Sequence, residues 1–367
     1  MKERLVWAEI NLAKFRQNLQ AIKKRVGNTK IMAVLKANAY GHGIARIARE
    51  AEKENVDYLG VACLYEGRLI REAGVKLPIL LIGYTDIESV PSALQHDLTI
   101  TIVDELVLEA VIKEAEKQGK KGTVHINIDT GFRLHGCAPN DAIPLMKKAS
   151  LSPNIILEGV FSHFAMAGDD PSFATKQLET FKNILATLKS MGITPPLIHM
   201  ANSAATITMP QSYFDMVRVG TFLYGPRTGE QLPGFVPETL LALKTIVTQT
   251  RDVLKGESIG YGKRSIASHS VKLASIPVGF GDGFPRIPNW GFVLIRGKRA
   301  PIVTVAMDST AVDITNIPNV STGDEVILLG TQGKEQIKIT MVAKTLQKTN
   351  YETLSNLSER VSRIYTS

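Results

Sequence analysis

Between residue 30 and about residue 220, short apolar runs alternate with longer amphipathic stretches, and this rhythm limits the chain to very few folds. The runs fall at 31–35, 58–62, 78–83, 98–103, 123–128, 157–163, 197–200 and 216–220. Each is almost continuously hydrophobic, the mark of a strand buried on both faces, and each is followed by helix-like sequence. The stretch 104–119 shows the pattern, with Asp104 as a predicted N-cap and Gly119 as a predicted stop. Eight such units predict a closed (β/α)8 barrel, because an open doubly wound sheet usually has fewer.

After residue 224 the character changes. The segment 225–237 holds three prolines and three glycines and reads as an irregular connector. Beyond it come alternating, Gly-punctuated runs at 240–251, 271–278, 293–295, 302–314, 325–329 and 336–340. They predict a compact antiparallel β domain. The expected division is a barrel over 11–230 and a C-terminal β domain over 231–367. With 367 residues, 44% hydrophobic and 21% charged, the composition is that of a soluble globular enzyme.

Several function classes drop out on composition. No run approaches about 18 apolar residues, so no membrane span is predicted. The start carries an early acidic residue and no long apolar region, so it does not read as a secretory signal. Two cysteines, Cys63 and Cys137, make no disulfide framework and point to the cytoplasm. The net charge of +8 comes from scattered lysines rather than a basic run, which predicts a solvated surface and no nucleic-acid partner. No metal site is expected.

In a barrel of this kind, chemistry gathers at the C-terminal ends of the strands. Those positions hold Lys36 and Tyr40 after the first run, and Asn127, Asp129 and Arg133 around the fifth. His163 ends the sixth, Asn202 and Ser203 follow the seventh, and Arg218, Gly220 and Thr221 close the eighth. A lysine at the mouth of a buried strand becomes neutral more easily than one in water. It can then form a Schiff base with a carbonyl compound or with pyridoxal phosphate. Barrels also bind phosphate with the loops after strands seven and eight. Ser203 is expected to serve there as helix cap and ligand together, and Gly220 to allow close backbone approach. Singly, each residue has a plainer reading: Lys36 as a solvated strand end, His163 as a core histidine, Asn202 as a turn residue, Ser203 as a simple cap.

The string Ala33-Val-Leu-Lys-Ala-Asn-Ala-Tyr-Gly-His-Gly43 resembles the cofactor-lysine segment of the alanine racemase family. So do His199-Met-Ala-Asn-Ser203, Val217-Arg-Val-Gly-Thr-Phe-Leu-Tyr-Gly225, Gly260-Tyr-Gly262, Pro277-Val-Gly-Phe-Gly-Asp-Gly283, Ala306-Met-Asp-Ser309 and Thr349-Asn-Tyr-Glu352. They stand in the family's order across nearly the whole chain. The resemblance implies a pyridoxal phosphate barrel followed by a β domain, with residues 1–10 adding a strand to that domain. It implies a homodimer with shared active sites, each completed by Tyr261 and Met307 from the other copy. It further implies that Lys36 holds the cofactor and acts as one base, and that Tyr261 is the second base on the opposite face of the substrate Cα. A tyrosine with a pKa of about 10 needs support in that role, which His163 and Arg218 would supply. Arg218 would also face the pyridine nitrogen. Tyr40, Ser203, Gly220, Thr221 and Tyr351 match the phosphate ligands and Asn202 a further cofactor contact. Met307 matches a substrate carboxylate contact, and Arg286 an entrance-corridor position.

Three departures stand out. Asn127 occupies the place of a lysine that is often carbamylated. The stretch Asp129-Thr-Gly-Phe-Arg-Leu-His-Gly136 puts Leu134 where the family has an arginine, with Arg133 one residue early as the candidate substrate contact. Phe280 stands where a tyrosine is common. The leading expectation is an alanine racemase supplying D-alanine for peptidoglycan; a serine or broad-specificity racemase keeps the reaction and changes the substrate. A barrel decarboxylase lacks support in Gly260-Tyr-Gly262, and a non-enzymatic cofactor-binding barrel would lack the C-terminal domain.

Overall fold

In the computed structural model, residues 4–226, 234, 236–261, 265–286 and 291–367 are described. The connector expected at 225–237 falls largely outside them. A first strand, β1 (Val6–Asn11), leads into the helix Leu12–Val26, whose first turn is capped by Asn11 accepting from the Lys14 N–H at 3.0 Å. Leu12, Phe15, Leu19, Ile22 and Val26 bury one stripe of it, and Lys23, Lys24 and Arg25 meet its negative C-terminal end.

Eight parallel strands then close into a barrel: β2 (Lys30–Val34), β3 (Tyr58–Val61), β4 (Ile79–Leu81), β5 (Thr99–Ile102), β6 (Gly122–Asn127), β7 (Ile155–Phe161), β8 (Leu197–His199) and β9 (Met216–Val219). Pairing of Lys30 with Met216 through Ala33 with Val219 shuts the ring. Each strand overlaps a run that the sequence predicts, with β2, β6 and β7 starting one or two residues earlier, because residues facing both the barrel axis and the surrounding helices must be apolar. Outward residues such as Ile31, Ala33, Leu59 and Val217 pack on the helices, while Met32, Tyr58, Leu80, Phe161, Leu197 and Met216 form a separate cluster inside. Asp104 caps the helix Glu105–Lys117 by accepting from Val107 N–H at 2.9 Å, and Gly119 follows in a left-handed conformation.

The C-terminal region forms one large sheet ordered β11-β14-β17-β16-β15-β18-β10-β1-β20. Its members are β10 (Leu241–Ile246), β11 (Gln249–Val253), β14 (Val271–Ile276), β15 (Phe292–Ile295), β16 (Lys298–Val305), β17 (Thr310–Asp313), β18 (Glu325–Gln332) and β20 (Ser362–Thr366). Two short strands, β12 (Ser258–Ile259) and β13 (Ser265–Ile266), pair with each other, and β19 (Glu335–Ile337) hangs on β18. The N-terminal strand joins this sheet, antiparallel to β10 and parallel to β20.

Several boundaries differ from the sequence expectation. The run 240–251 splits into β10 and β11, which lie apart in the sheet, the run 302–314 folds back on itself as β16 and β17, and the run 336–340 ends at Ile337. Helices Ile339–Thr345 and Asn350–Ser355 follow, so the domain is not purely β. Among the described residues, no helix is long and apolar enough to cross a membrane. Cys63 is exposed, Cys137 is buried, and both are free thiols.

Candidate active site

A cavity of about 250 Å³ opens at the C-terminal ends of the barrel strands. Lys36, Tyr40, His163, Asn202, Ser203, Arg218, Gly220, Thr221 and Tyr351 line it, along with Val34, Ile82, Ala204 and Phe222. The structure therefore gathers nine residues singled out from sequence into one wall. The four apolar liners carry no chemistry that the sequence could signal.

Lys36 stands just past β2, where the chain turns in an unusual way. Ala37, Asn38, Ala39 and Tyr40 all have φ of 53–54°, a left-handed turn of non-glycine residues. Each such residue costs roughly 1–2 kcal/mol, so neighbours must impose the shape. The Ala37 N–H donates to Glu66 at 2.5 Å, Asn38 Oδ1 accepts from Ile44 N–H at 2.8 Å, and His42 Nδ1 lies within 3.0 Å of the Ala39 and Tyr40 carbonyls. The C-terminal domain grips the far side. Arg363 Nε donates to the Gly41 carbonyl at 3.2 Å and Tyr365 OH to that of His42 at 3.1 Å. A Cβ on Gly41 would sit 2.2 Å from the Leu354 carbonyl oxygen, so only glycine allows this approach. Lys36 opens to the cavity and is accessible to solvent, with protein packed closely around it. Burial lowers its pKa, the nearby Glu66 charge opposes, and the Arg218 charge lowers it further.

The anion cradle lies opposite. Ser203 Oγ accepts from the Gly220 N–H at 3.0 Å, tying the loops after β8 and β9 together. The helix Ser203–Thr208 is capped by Asn202, whose Oδ1 accepts from Ala205 N–H at 3.0 Å, not by Ser203 as the sequence suggested. Asn202 has the extended cap conformation, and Ser203 is left free to face the cavity. Tyr40 packs on Tyr224 with ring centroids 4.8 Å apart and meets Tyr351 edge-on. Burial, then the neighbouring Tyr351 and Glu66, push its phenol pKa up, so it remains an O–H donor.

Arg218, on β9, is almost fully buried. Its Nη2 donates to the Ser162 carbonyl at 2.7 Å and to His163 Nδ1 at 3.1 Å; its Nη1 donates to His199 Nδ1 at 2.7 Å. Burial lowers its pKa to about 9, so it is still a cation at neutral pH. Burial, Arg218 and Lys36 together hold His163 down to about 3, hence neutral. The attachment of His199 to Arg218 was not visible in sequence, since nothing in a strand-end histidine tells which face it takes.

Other expected residues lie elsewhere. Tyr261 and Met307 are 79% and 58% exposed and do not line this cavity; Gly262 of their motif lies outside the described residues. Asn127 is buried with its Oδ1 unpartnered among the described residues. Arg286 stacks over the Phe280 ring at 5.0 Å. The Arg133 side chain is 75% exposed and pairs with Asp129 at 3.4 Å. The Asp129 carboxylate gathers the N–H groups of Gly131 and Arg133, and Arg133 takes φ of 62°, so the loop turns that guanidinium toward solvent. Leu134 beside it is exposed as well.

Fold and cavity together define a (β/α)8 barrel enzyme carrying an appended β-sheet domain. The family models for the alanine racemase N-terminal and C-terminal domains match residues 10–228 and 240–365. "Alanine racemase 1" of Caldanaerobacter subterraneus is 39% identical over 364 residues, covering 97% of this chain and 94% of that protein. The solved alanine racemase of Clostridium difficile 630 superposes with a TM-score of 0.95 at 34% identity, covering 100% and 97%. A histidine racemase from Leuconostoc mesenteroides has a TM-score of 0.92 at 27% identity, covering 100% and 99%. The chain belongs to the alanine racemase family, whose members depend on pyridoxal phosphate.

Proposed function

We propose that this chain interconverts L- and D-alanine, with Lys36 carrying pyridoxal phosphate and acting as base on one face of the substrate Cα. The single observation that carries the reading is one cavity in which a lysine amine faces a cradle of anion donors. The residues fit the group: Tyr40, Ser203, Gly220, Thr221 and Tyr351 surround a place for its phosphate, and Asn202 borders it. Arg218 would be the donor for its ring nitrogen. When bound, pyridoxal phosphate supplies the electron sink that makes a Cα proton removable. An arginine partner leaves that sink weaker than an aspartate would, which limits side reactions.

Racemisation needs a second base on the opposite face. Tyr261 of the partner subunit takes that role, with Met307 of the partner subunit at the substrate carboxylate. The exposure of both residues on a single chain supports a head-to-tail homodimer with shared sites. Neutral His163, held by Arg218, supports the tyrosine. We do not assign Arg133 a substrate contact, given its place on the outer loop. We place the enzyme in the cytoplasm, where free thiols such as Cys63 and Cys137 stay reduced, supplying D-alanine for peptidoglycan.

A serine or broader racemase is the second reading, since one fold accommodates both the alanine and histidine racemases compared above. Tyr351 at the cavity wall favours a small side chain. Two measurements test the proposal. Borohydride reduction and peptide mapping should place the pyridoxyl group on Lys36; finding it on another lysine overturns the assignment. Chiral detection of product across the L-amino acids should show alanine turned over fastest.

A further inference from the structure

Below Arg218 the barrel interior carries a continuous line of polar side chains in place of closed aliphatic layers. Arg218 Nη1 lies 2.7 Å from His199 Nδ1, His199 Nε2 lies 2.8 Å from His125 Nδ1, and His125 Nε2 lies 3.0 Å from Glu158 Oε2. Tyr58 donates to the same carboxylate oxygen at 2.6 Å. Phe161 stacks on His199 at 4.8 Å, and other apolar residues of the barrel interior enclose the line.

The sequence builds this line with two local devices. Val124 pairs with Leu157 and His125 with Gly159, so Glu158 is the extra residue of a bulge. A bulge re-aims one side chain, here sending a carboxylate toward the barrel axis. Gly159 makes the room, because a Cβ there would stand 2.5 Å from His125 Nδ1.

The two ends fix every proton between them. A guanidinium only donates, so His199 must accept at Nδ1 and carry its proton on Nε2. That N–H faces His125 Nδ1, which must accept in turn, leaving the His125 proton on Nε2 to be donated to Glu158. Burial keeps both imidazoles neutral, with the Arg218 charge adding to the effect. At the far end Glu158 is 29% exposed. Burial would raise its pKa, but hydrogen bonds from His125 and Tyr58 and the charge of Lys30 hold it below the usual value.

Arg218 donates to His163, His199 and the carbonyls of Ser162, His199 and Met200 and lies within reach of the Lys36 charge, and among the described residues no carboxylate forms an ion pair with it. A buried cation without a counter-charge is costly. We propose that Glu158, acting through His125 and His199, is the counter-charge of Arg218 and keeps its guanidinium protonated and aimed at the cofactor site. Glu158 and His125 are positioning residues for the reaction. The inference rests on the reading of Arg218 as the partner of the cofactor ring nitrogen.

Glu158→Gln tests it in the holoenzyme. A glutamine oxygen still accepts from His125 and Tyr58, so the geometry is kept while the charge is lost. Arg218 then gives up its proton more easily, and the basic limb of the pH profile moves to lower pH. We expect kcat to fall about tenfold with KM unchanged, and the visible band of the bound pyridoxal phosphate to shift. Tyr58→Phe, which keeps the His125–Glu158 link, should stay close to the parent in all three. Nitrogen-15 NMR of histidine-labelled wild-type holoenzyme, with seven histidines to resolve, should show His125 and His199 both protonated on Nε2 alone. That measurement needs no variant, so it decides the matter even if Glu158→Gln does not fold. Wild-type kcat, pH profile and spectrum in Glu158→Gln would overturn the proposal, as would an Nδ1 proton on either histidine. Borohydride mapping of the same samples reports separately on whether Lys36 holds the cofactor.

Discussion

Adding one methyl group at Gly220 should weaken cofactor binding far more than it weakens the fold. The Cβ of Gly220→Ala would lie 2.5 Å from the Tyr40 hydroxyl, 3.2 Å from Tyr40 Cζ and 3.4 Å from Val34 Cβ, where real Cβ contacts essentially never fall below 3.0 Å. The hydroxyl or the loop must therefore yield by at least 0.5 Å, the difference between 3.0 and 2.5. Gly220 has φ of −116°, outside the left-handed region, so the close contact with Tyr40 is the leading effect. Tyr40 is confined on its other sides by Tyr224 and Tyr351, and its free direction is the cavity. Without cofactor the ring can swing into that space; with cofactor it cannot. The overpacking penalty, typically about 1–3 kcal/mol, thus falls mainly on the loaded state. At 1.4 kcal/mol per decade, the dissociation constant of pyridoxal phosphate should rise roughly fivefold to a hundredfold. Titrating the apoenzyme with cofactor by fluorescence measures this directly. Gly291→Ala, where nothing lies within 4 Å of the new Cβ, is the control. Equal affinity in Gly220→Ala and the parent would refute the cradle geometry.

Burial lowers the pKa of His42 from 6.5 to about 4. The unfolded chain takes up that proton first, so His42 erodes stability as pH falls between those values, by about 1.4 kcal/mol per unit. His42→Gln should flatten the pH slope of urea-derived stability in that window; an unchanged slope would contradict the assignment. Arg133→Ala should leave kcat and KM within about twofold, since an exposed ion pair contributes little, and a tenfold loss would return Arg133 to the site. Mixing Lys36→Ala with Tyr261→Phe chains should restore activity, because half the dimers are then mixed and one of their two sites is intact. Random exchange gives about a quarter of wild-type activity, whereas no recovery after proven exchange would mean each site is built within one chain.

The barrel was legible because burial on two faces forces apolar runs, and eight of them leave little topological choice. The cavity wall was legible because strand-end positions from 36 to 221 converge at one rim. What escaped depends on local geometry that spacing does not encode. The run 302–314 reads as one strand, yet Ala306–Ser309 reverses the chain within it, the Ala306 N–H meeting the Ser309 carbonyl at 2.8 Å. Asn202 and Ser203 are both good caps, and only the backbone decides that Asn202 wins. Arg133 could not be placed by counting, because the left-handed turn that faces it outward is imposed by the Asp129 carboxylate. Glu158 was hidden for a similar reason: a bulge reverses the side on which a residue points, and alternation is the only guide the sequence offers there.

Strand β1 precedes the barrel, and β20, beside it in the sheet, follows every other described strand. The barrel strands, by contrast, pair with their neighbours along the chain, except where β2 meets β9. Contacts of long sequence separation close slowly, so the barrel is expected to take shape well before β1 finds β20. Strand β20 also supplies Arg363 and Tyr365, which hold the carbonyls of Gly41 and His42. The left-handed turn carrying Lys36 therefore receives its last clasps only when the sheet is complete. Assembly order becomes a form of quality control: a barrel that has closed without its sheet lacks the grip that sets the lysine, and affinity for the cofactor matures with the final strand.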